Sequence, residues 1–137
     1  MTPETTLEEA RRLVDLAVSK IPLLTSAGIG IHYSYYRQGK EAVTSGIQKQ
    51  QAELYSDFGL RMVAFCADWL RRQTFRRTFN RFRTSYHFKH VIENHRRWHG
   101  DPDPYTYNGA LIAAAVGLGL DFEIVGPNAL FKLHESR

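Results

Sequence analysis

Arginine and phenylalanine alternate in the middle of the chain, in a pattern that suits a polyanionic ligand. Between residues 71 and 83, six arginines are interleaved with Phe75, Phe79 and Phe82. Arginine neutralises phosphates and releases their counterions, and an exposed aromatic ring can stack on an unpaired base. We therefore predict a non-enzymatic nucleic-acid-binding protein whose basic patch contacts phosphates. The predicted phosphate-binding residues are Arg71, Arg72, Arg76, Arg77, Arg81, Arg83, Lys89, Arg96 and Arg97.

The positive charge of the chain is concentrated around this pattern. Residues 61–100 contain ten of the eighteen Lys and Arg residues but only two acids, Asp68 and Glu93, which gives a formal net charge of +8. The other 97 residues contain eight bases and twelve acids, for a net charge of −4. A patch of this kind favours the phosphate backbone of a nucleic acid. Because phosphate contacts carry no sequence information, the choice between DNA and RNA and any sequence preference stay open.

Two other interpretations explain the same residues. In the structural one, the phenylalanines belong to the core and the arginines form a solvated face, some of them paired with Asp68, Glu53 or Glu123. In the functional one, the basic surface binds an acidic protein, so that the chain is an inhibitor or adaptor acting on a host complex. Whether the guanidinium groups share one surface distinguishes these interpretations.

Histidines, a cysteine and a tyrosine cluster are the remaining candidates for chemistry. His95 and His99 are spaced i, i+4 and could share a metal ion, but no HExxH motif or nearby cysteine completes a tetrahedral site. Cys66 lies on the apolar side of a predicted helix, where a thiol is usually an inert filler. We therefore predict no metal, no cofactor and no catalytic residue. The alternative is a small enzyme with residues 33–36 in its pocket.

Helices are predicted for most of the N-terminal half. Thr5 or Thr6 can cap a first helix that ends at Pro22. Its apolar stripe would face the core or a second copy of the chain, so a homodimer stays open. Residues 38–44 are polar, with Gly39 and Gly46 as the expected loop or cap positions. A long second helix is predicted from Ile47 to about Gln73, because apolar residues recur every three or four positions.

The C-terminal half predicts two helices and a β-hairpin. Thr84 or Ser85 can cap a third helix. Its predicted buried residues are Phe88, Val91, Ile92, His95 and either Trp98 or His99. Two prolines in residues 100–104 break the chain, and Thr106 or Asn108 caps a fourth helix. Alternation in residues 121–125 and the return in 130–133 predict the hairpin.

This order predicts a mainly α fold with four or five helices and a C-terminal β-hairpin. At 137 residues, one domain over 1–137 is expected, with a helical N-terminal region (residues 1–73) and a basic segment followed by a helix–helix–hairpin unit (residues 74–137). The unit has the order of a DNA-binding winged helix, in which the fourth helix would be the recognition helix. However, residues 110–120 contain no Arg, Lys, Gln or Asn to read base edges.

We expect a soluble, cytoplasmic protein with no membrane partner. The single Cys66 excludes an intrachain disulfide, which fits a reducing compartment. No signal peptide is visible after Met1. The longest apolar run, Ala110 to Val116, is too short to span a bilayer.

Three blocks in the C-terminal half carry a resemblance. They are SYxxKHxxE at residues 85–93, YNGAxIAAA at 107–115 and GPNAxF at 126–131. Together they resemble small bacterial proteins of phages, plasmids and other mobile elements, a group with no established activity. The resemblance implies nucleic-acid handling or interference with a host complex. Anti-CRISPR-type inhibitors are similar in size and setting.

Overall fold

The fold is mainly α-helical with a C-terminal β-hairpin, as the sequence predicts. The structure is a computed structural model that describes residues 2–134. Within these residues the elements are α1 (Leu7–Lys20), β1 (Leu24–Thr25), β2 (Gly28–Ile29), a 3-10 helix (Tyr33–Gln38), α2 (Lys40–Leu54), α3 (Asp57–Arg71), α4 (Ser85–Trp98), α5 (Asn108–Gly117), β3 (Phe122–Val125) and β4 (Asn128–Phe131). Each strand pair is antiparallel, β1 with β2 and β3 with β4. None of the described helices combines the length and apolar character that crossing a bilayer requires.

Helix α1 begins and ends where local sequence predicts. The Thr6 side chain accepts a hydrogen bond from the Glu9 backbone N–H at 3.1 Å, so it is the N-cap. The last turn closes with the Ile21 N–H donating to Ala17, directly before Pro22. The apolar stripe of α1 is buried against α5 and α3 within the chain. Intrachain packing therefore accounts for this stripe.

The predicted long second helix is wrong, because the chain forms two helices with a corner between them. Helix α2 starts at Lys40, directly after the predicted cap position Gly39, and α3 starts after Ser56, whose side chain accepts from the Gly59 N–H at 3.0 Å. A Cβ atom at Gly59 would lie 2.1 Å from the carbonyl oxygen of Glu53. The corner thus requires glycine at this position, a non-local constraint that apolar periodicity does not reveal.

Helix α5 is the centre of the molecule. Every residue from Asn108 to Val116 is buried, with α1, α3, α4 and the strands packed around it. Small side chains and Gly109 allow these neighbours to approach closely. Residues from both regions, 1–73 and 74–137, belong to the same hydrophobic cluster. Because α5 is enclosed, it has no exposed face with which to enter a DNA groove.

The hairpin β3–β4 is packed by its tip as well as by its strands. The carbonyl oxygen of Pro127, in the turn, accepts a hydrogen bond from the Ile29 N–H at 2.9 Å. Helix α4 packs beside β4 and α5, burying Phe88 and Ile92 as predicted. Its predicted buried side does not extend to the C-terminal end, since Trp98 is 88% exposed and His99 is also exposed.

Candidate nucleic-acid interface

The arginine-rich residues 72–84 form an irregular extended segment, here called the basic segment. It runs beside β4, where the Arg76 N–H donates to the Lys132 carbonyl at 2.8 Å and the Asn80 N–H donates to Phe131 at 2.9 Å. Phe75 forms an isolated antiparallel bridge with Leu133. The basic segment is therefore held along the edge of the C-terminal hairpin, like a short, irregular third strand. The segment is therefore not helical.

Asn80 organises the end of the basic segment. Its side chain is buried and donates to the Leu133 carbonyl at 3.1 Å. Its Oδ1 atom accepts from the backbone N–H groups of Phe82 and Arg83 at 3.1 and 3.2 Å. A buried amide with all of these partners holds the turn in one conformation. The side chain that this turn presents, Phe82, is 86% exposed.

Four of the predicted phosphate-binding arginines are exposed and have no carboxylate partner in the part of the chain that the structure describes. Within residues 2–134, no carboxylate oxygen lies within 4.0 Å of a guanidinium nitrogen of Arg72, Arg76, Arg77 or Arg97. Arg76 contacts Thr78 and Arg97 donates to Asn94, both neutral groups. Three of the four lie in the basic segment, whereas Arg97 lies near the C-terminal end of α4. These side chains therefore lie at the surface with no described carboxylate to offset them.

Three other predicted arginines already have partners. Arg71 donates to Glu9 at 2.6 Å and to Thr5. Arg81 forms a two-pronged pair with Glu123, with distances of 3.1 and 3.2 Å. Arg83 is half-buried and donates to the Phe82 carbonyl. The pairing of Arg81 with Glu123 agrees with the structural interpretation of the arginines given above. Because Arg71 and Arg81 are paired with carboxylates of the same chain, the positive charge of the patch is partly neutralised.

Arg96 is not available to a ligand, which corrects its predicted role. The residue is 1% exposed. Its Nε atom donates to Asp101 at 2.9 Å, and its two Nη atoms donate to Thr106 and to the backbone carbonyls of Tyr105 and Asp103. The guanidinium also lies 4.5 Å from the Phe65 ring centroid. Arg96 is therefore an interior clamp that holds the loop between α4 and α5.

Lys89 is likewise buried, so its predicted phosphate contact is also corrected. Its Nζ atom lies 3.5 Å from Glu93 and between the rings of Tyr86 and Tyr105, at 5.5 and 4.7 Å from their centroids. Glu93 in turn accepts from the Thr106 N–H. This interior network was missed from sequence, although the i, i+4 spacing of Lys89 and Glu93 is a signal for it.

The electrostatics of α4 explain which groups add positive charge. Burial opposes ionisation of Asp101, but the Asp103 N–H and the Arg96 guanidinium outweigh it and hold the pKa of Asp101 below its usual value. Burial, followed by the nearby His99 and Arg72, lowers the pKa of His95. The ordinary histidine pKa is already about 6.5, so this downward shift favours the neutral form of His95 at pH 7.

A cleft of about 250 Å³ lies beside the basic segment. It is lined by Phe75, Arg76, Leu120, Asp121 and Lys132. Phe75 is 48% exposed. Lys132 donates to Asp121 at 2.8 Å and its Nζ atom lies 5.3 Å from the centroid of the Phe79 ring, so that ring is covered. The cleft thus combines an accessible aromatic ring with an arginine.

The other candidate sites have less support. Within residues 2–134, no group of three or more His, Cys, Asp or Glu residues is placed to hold a metal ion. The tyrosine cluster is not packed away, since Tyr33 and Tyr36 are exposed. A cavity of about 430 Å³ lies beside it, lined by Ala27, Ile29, Gly30, Ile31, His32, Tyr33 and Pro127. This lining is mainly aliphatic and contains no carboxylate.

Cys66 is expected to be unreactive in the folded chain. The side chain is fully buried, and burial raises the pKa of its thiol to about 12. A thiol-specific aromatic disulfide, applied near the ordinary thiol pKa of about 8.5, should give no labelling of the native chain and one label per chain in denaturant. Rapid labelling of the native chain would contradict this placement and make Cys66 a candidate nucleophile again.

The basic segment thus joins exposed arginines, two exposed aromatic rings and a cleft. The sequence predicts the arginines of this surface. It predicts neither the backbone pairing with the C-terminal hairpin that holds them in place nor the cleft. The resemblance to mobile-element proteins stays a prediction. The chain matches no family model, and no curated protein or solved structure is significantly similar to it.

Proposed function

We propose that this protein binds nucleic acid through its phosphates, with the basic segment as the contact surface. The observation that carries the proposal is the set of exposed arginines Arg72, Arg76 and Arg77, which have no carboxylate partner among the described residues and lie on one continuous, hydrogen-bonded stretch of backbone. Guanidinium groups bind phosphate through paired hydrogen bonds. Fixing the backbone reduces the entropy that is lost when several such contacts form together.

Arg81 is a further contact in this proposal, although it is paired with Glu123. Both partners are substantially exposed, with side-chain exposures of 65% and 42%. An exposed ion pair contributes only about 0–1 kcal/mol. A phosphate can therefore compete for Arg81, whereas it cannot reach Lys89 or Arg96, which are excluded from the proposed interface. Arg97 lies at the other end of α4 and would extend the surface only for a longer ligand.

The direct test is titration of a labelled oligonucleotide at about 50 mM and about 200 mM salt. Counterion release requires the affinity to fall steeply between these two concentrations. Undetectable binding at the lower salt concentration, or affinity that does not depend on salt, would remove the proposal. Unlabelled oligonucleotides of different sequence should compete about equally, since phosphate contacts do not read bases.

Replacing Arg76 and Arg77 by alanine should weaken binding about tenfold or more for every sequence tested. Two charge-assisted contacts are lost, and each contributes up to about 3 kcal/mol. The slope of log affinity against log salt concentration should also become less steep by about 2. The matched control is Lys40→Ala/Lys49→Ala, which removes the same charge from exposed positions on α2. Equal losses in the two variants would show that net charge, not the basic segment, determines binding.

A second candidate function, protein binding by an inhibitor or adaptor, is favoured by a different observation. Trp98 is 88% exposed and follows the exposed Arg97, and Trp and Arg are enriched at the centres of protein interfaces. The resemblance of the three C-terminal blocks implies the same alternative, interference with a host complex. A pull-down that retains a defined acidic protein after nuclease treatment would favour it. Loss of all partners with the nuclease would count against it.

A further inference from the structure

We infer that the nucleic acid bound by the basic segment is single-stranded, with unpaired bases stacked on Phe82 and against Phe75. This inference rests on the proposed function and specifies its ligand. A duplex, whose bases are stacked inside, presents mainly phosphates to such a surface, and arginines alone are enough to bind those phosphates. Exposed aromatic rings between those arginines suit a ligand whose base faces are accessible.

Phe82 is the first of the two platforms. It is 86% exposed, although burying a phenylalanine side chain is favourable in water. The backbone at Phe82 is fixed by the fold, because the buried Asn80 side chain accepts from the Phe82 N–H. Arg81 and Arg83 are its neighbours in sequence, although both already have hydrogen-bond partners within the chain. The turn therefore presents an open aromatic face on which an unpaired base could stack.

Phe75 is the second platform, and it lies at the cleft. The cleft volume of about 250 Å³ equals the share of liquid volume of about eight water molecules, at about 30 Å³ each. One planar base can occupy such a space against the Phe75 ring, with Arg76 in the same lining for its phosphate. Lys132 also lines the cleft but is already paired with Asp121. Phe79 is not a platform, because Lys132 covers its ring.

The two elements that could enter a groove of duplex DNA, α5 and the tip of the β3–β4 hairpin, are both packed against the rest of the fold. Helix α5, in the position of a recognition helix, is enclosed on all sides. The tip of the β3–β4 hairpin, in the position of a wing, is joined to β2 through the Pro127 carbonyl and the Ile29 N–H. A major groove admits a free helix or a free β-ribbon, and the described residues offer neither at this surface.

The test compares a single strand with the duplex of the same sequence. The wild-type chain should bind the single strand more tightly. Phe82→Ala and Phe75→Ala should each weaken single-strand binding about 5- to 150-fold, since loss of stacking costs about 1–3 kcal/mol per base, and should therefore reduce the preference for the single strand over the duplex. Phe82→Tyr retains an aromatic face and should retain affinity, whereas Phe82→Leu should not.

Controls separate this inference from the proposed function. Phe58→Ala removes a partly exposed ring on α3, outside the basic segment, and should not change binding. Tighter binding of the duplex, or wild-type affinity in the phenylalanine variants while Arg76→Ala/Arg77→Ala weakens binding, would overturn the inference and leave the proposed function standing. Absence of salt-dependent binding to either form would overturn both. Circular dichroism of each variant establishes that the variants are folded.

Discussion

Replacing Arg96 by methionine is expected to lower the free energy of unfolding by about 3–5 kcal/mol, because the buried Asp101 loses its hydrogen-bonded cation. Both side chains are only 1% exposed in this pair. Arg96 also provides the donors for the Thr106 side chain and the carbonyls of Asp103 and Tyr105. Arg61 remains 3.9 Å from Asp101 but is partly exposed, so it cannot replace these contacts. Urea denaturation followed by circular dichroism measures the loss.

The neighbouring arginine is the matched control for this prediction. Arg97→Met removes the same charge one position later, from an exposed side chain, and should change stability by no more than about 0.5 kcal/mol. The double variant Arg96→Met/Asp101→Asn should be more stable than Arg96→Met, since the uncompensated carboxylate is gone. Equal stabilities of Arg96→Met and Arg97→Met would contradict the assignment of Arg96 as an interior clamp.

The contrast between Arg96 and Arg97 shows why composition overstates the basic surface. Residues 61–100 have a formal net charge of +8, but this number does not distinguish interior from surface charge. The partners that remove charge are distant in sequence: Glu9 is 62 residues from Arg71, and Glu123 is 42 residues from Arg81. Spacing rules act over three or four residues, so they could have indicated the Lys89–Glu93 contact, which was missed, but not these pairs.

Local signals predict the fold well wherever local hydrogen bonds determine it. The Thr6 cap, the end of α1 before Pro22 and the hairpin around the glycine turn at Gly126 all follow from short-range chemistry. The corner between α2 and α3 does not, because it depends on the approach of the Glu53 carbonyl to Gly59. The helical spacing of apolar residues continues through the corner and gives no sign of it.

The candidate site divides in the same way. Sequence predicts that arginines and phenylalanines occur together, and it makes stacking conditional on exposure. Exposure itself depends on the pairing of the basic segment with β4 and on the Asn80 amide. The contact between Asn80 and Leu133 joins residues 53 positions apart. The proposed single-strand platform therefore follows from tertiary structure.

Gly109→Ala is expected to lower the free energy of unfolding by about 3 kcal/mol, which is the opposite of the usual effect. Alanine normally stabilises a helix relative to glycine by about 1 kcal/mol. At Gly109, however, the added Cβ atom would lie 1.7 Å from the carbonyl oxygen of Thr25. The obstacle is backbone, so the β1–β2 hairpin must move away from α5, and overpacking of this kind commonly costs about 1–3 kcal/mol. Denaturant unfolding measures the change.

The control for Gly109 is another helical glycine. At Gly46 in α2, the nearest atoms to an added Cβ belong to the Tyr35 and Ile31 side chains, at 3.0 and 3.1 Å, and these can shift. Gly46→Ala should therefore change stability by no more than about 1 kcal/mol.

The same two variants also test whether the β1–β2 hairpin supports the proposed nucleic-acid interface. The Gly109 N–H donates to the Ser26 carbonyl between β1 and β2, and the Ile29 N–H of β2 donates to Pro127 at the tip of the β3–β4 hairpin. Strand β4 of that hairpin in turn holds the basic segment through backbone hydrogen bonds. Displacing the β1–β2 hairpin should therefore weaken nucleic-acid binding in Gly109→Ala but not in Gly46→Ala. Equal stability and equal binding in both variants would show that the approach of β1–β2 to α5 is not a constraint on the fold.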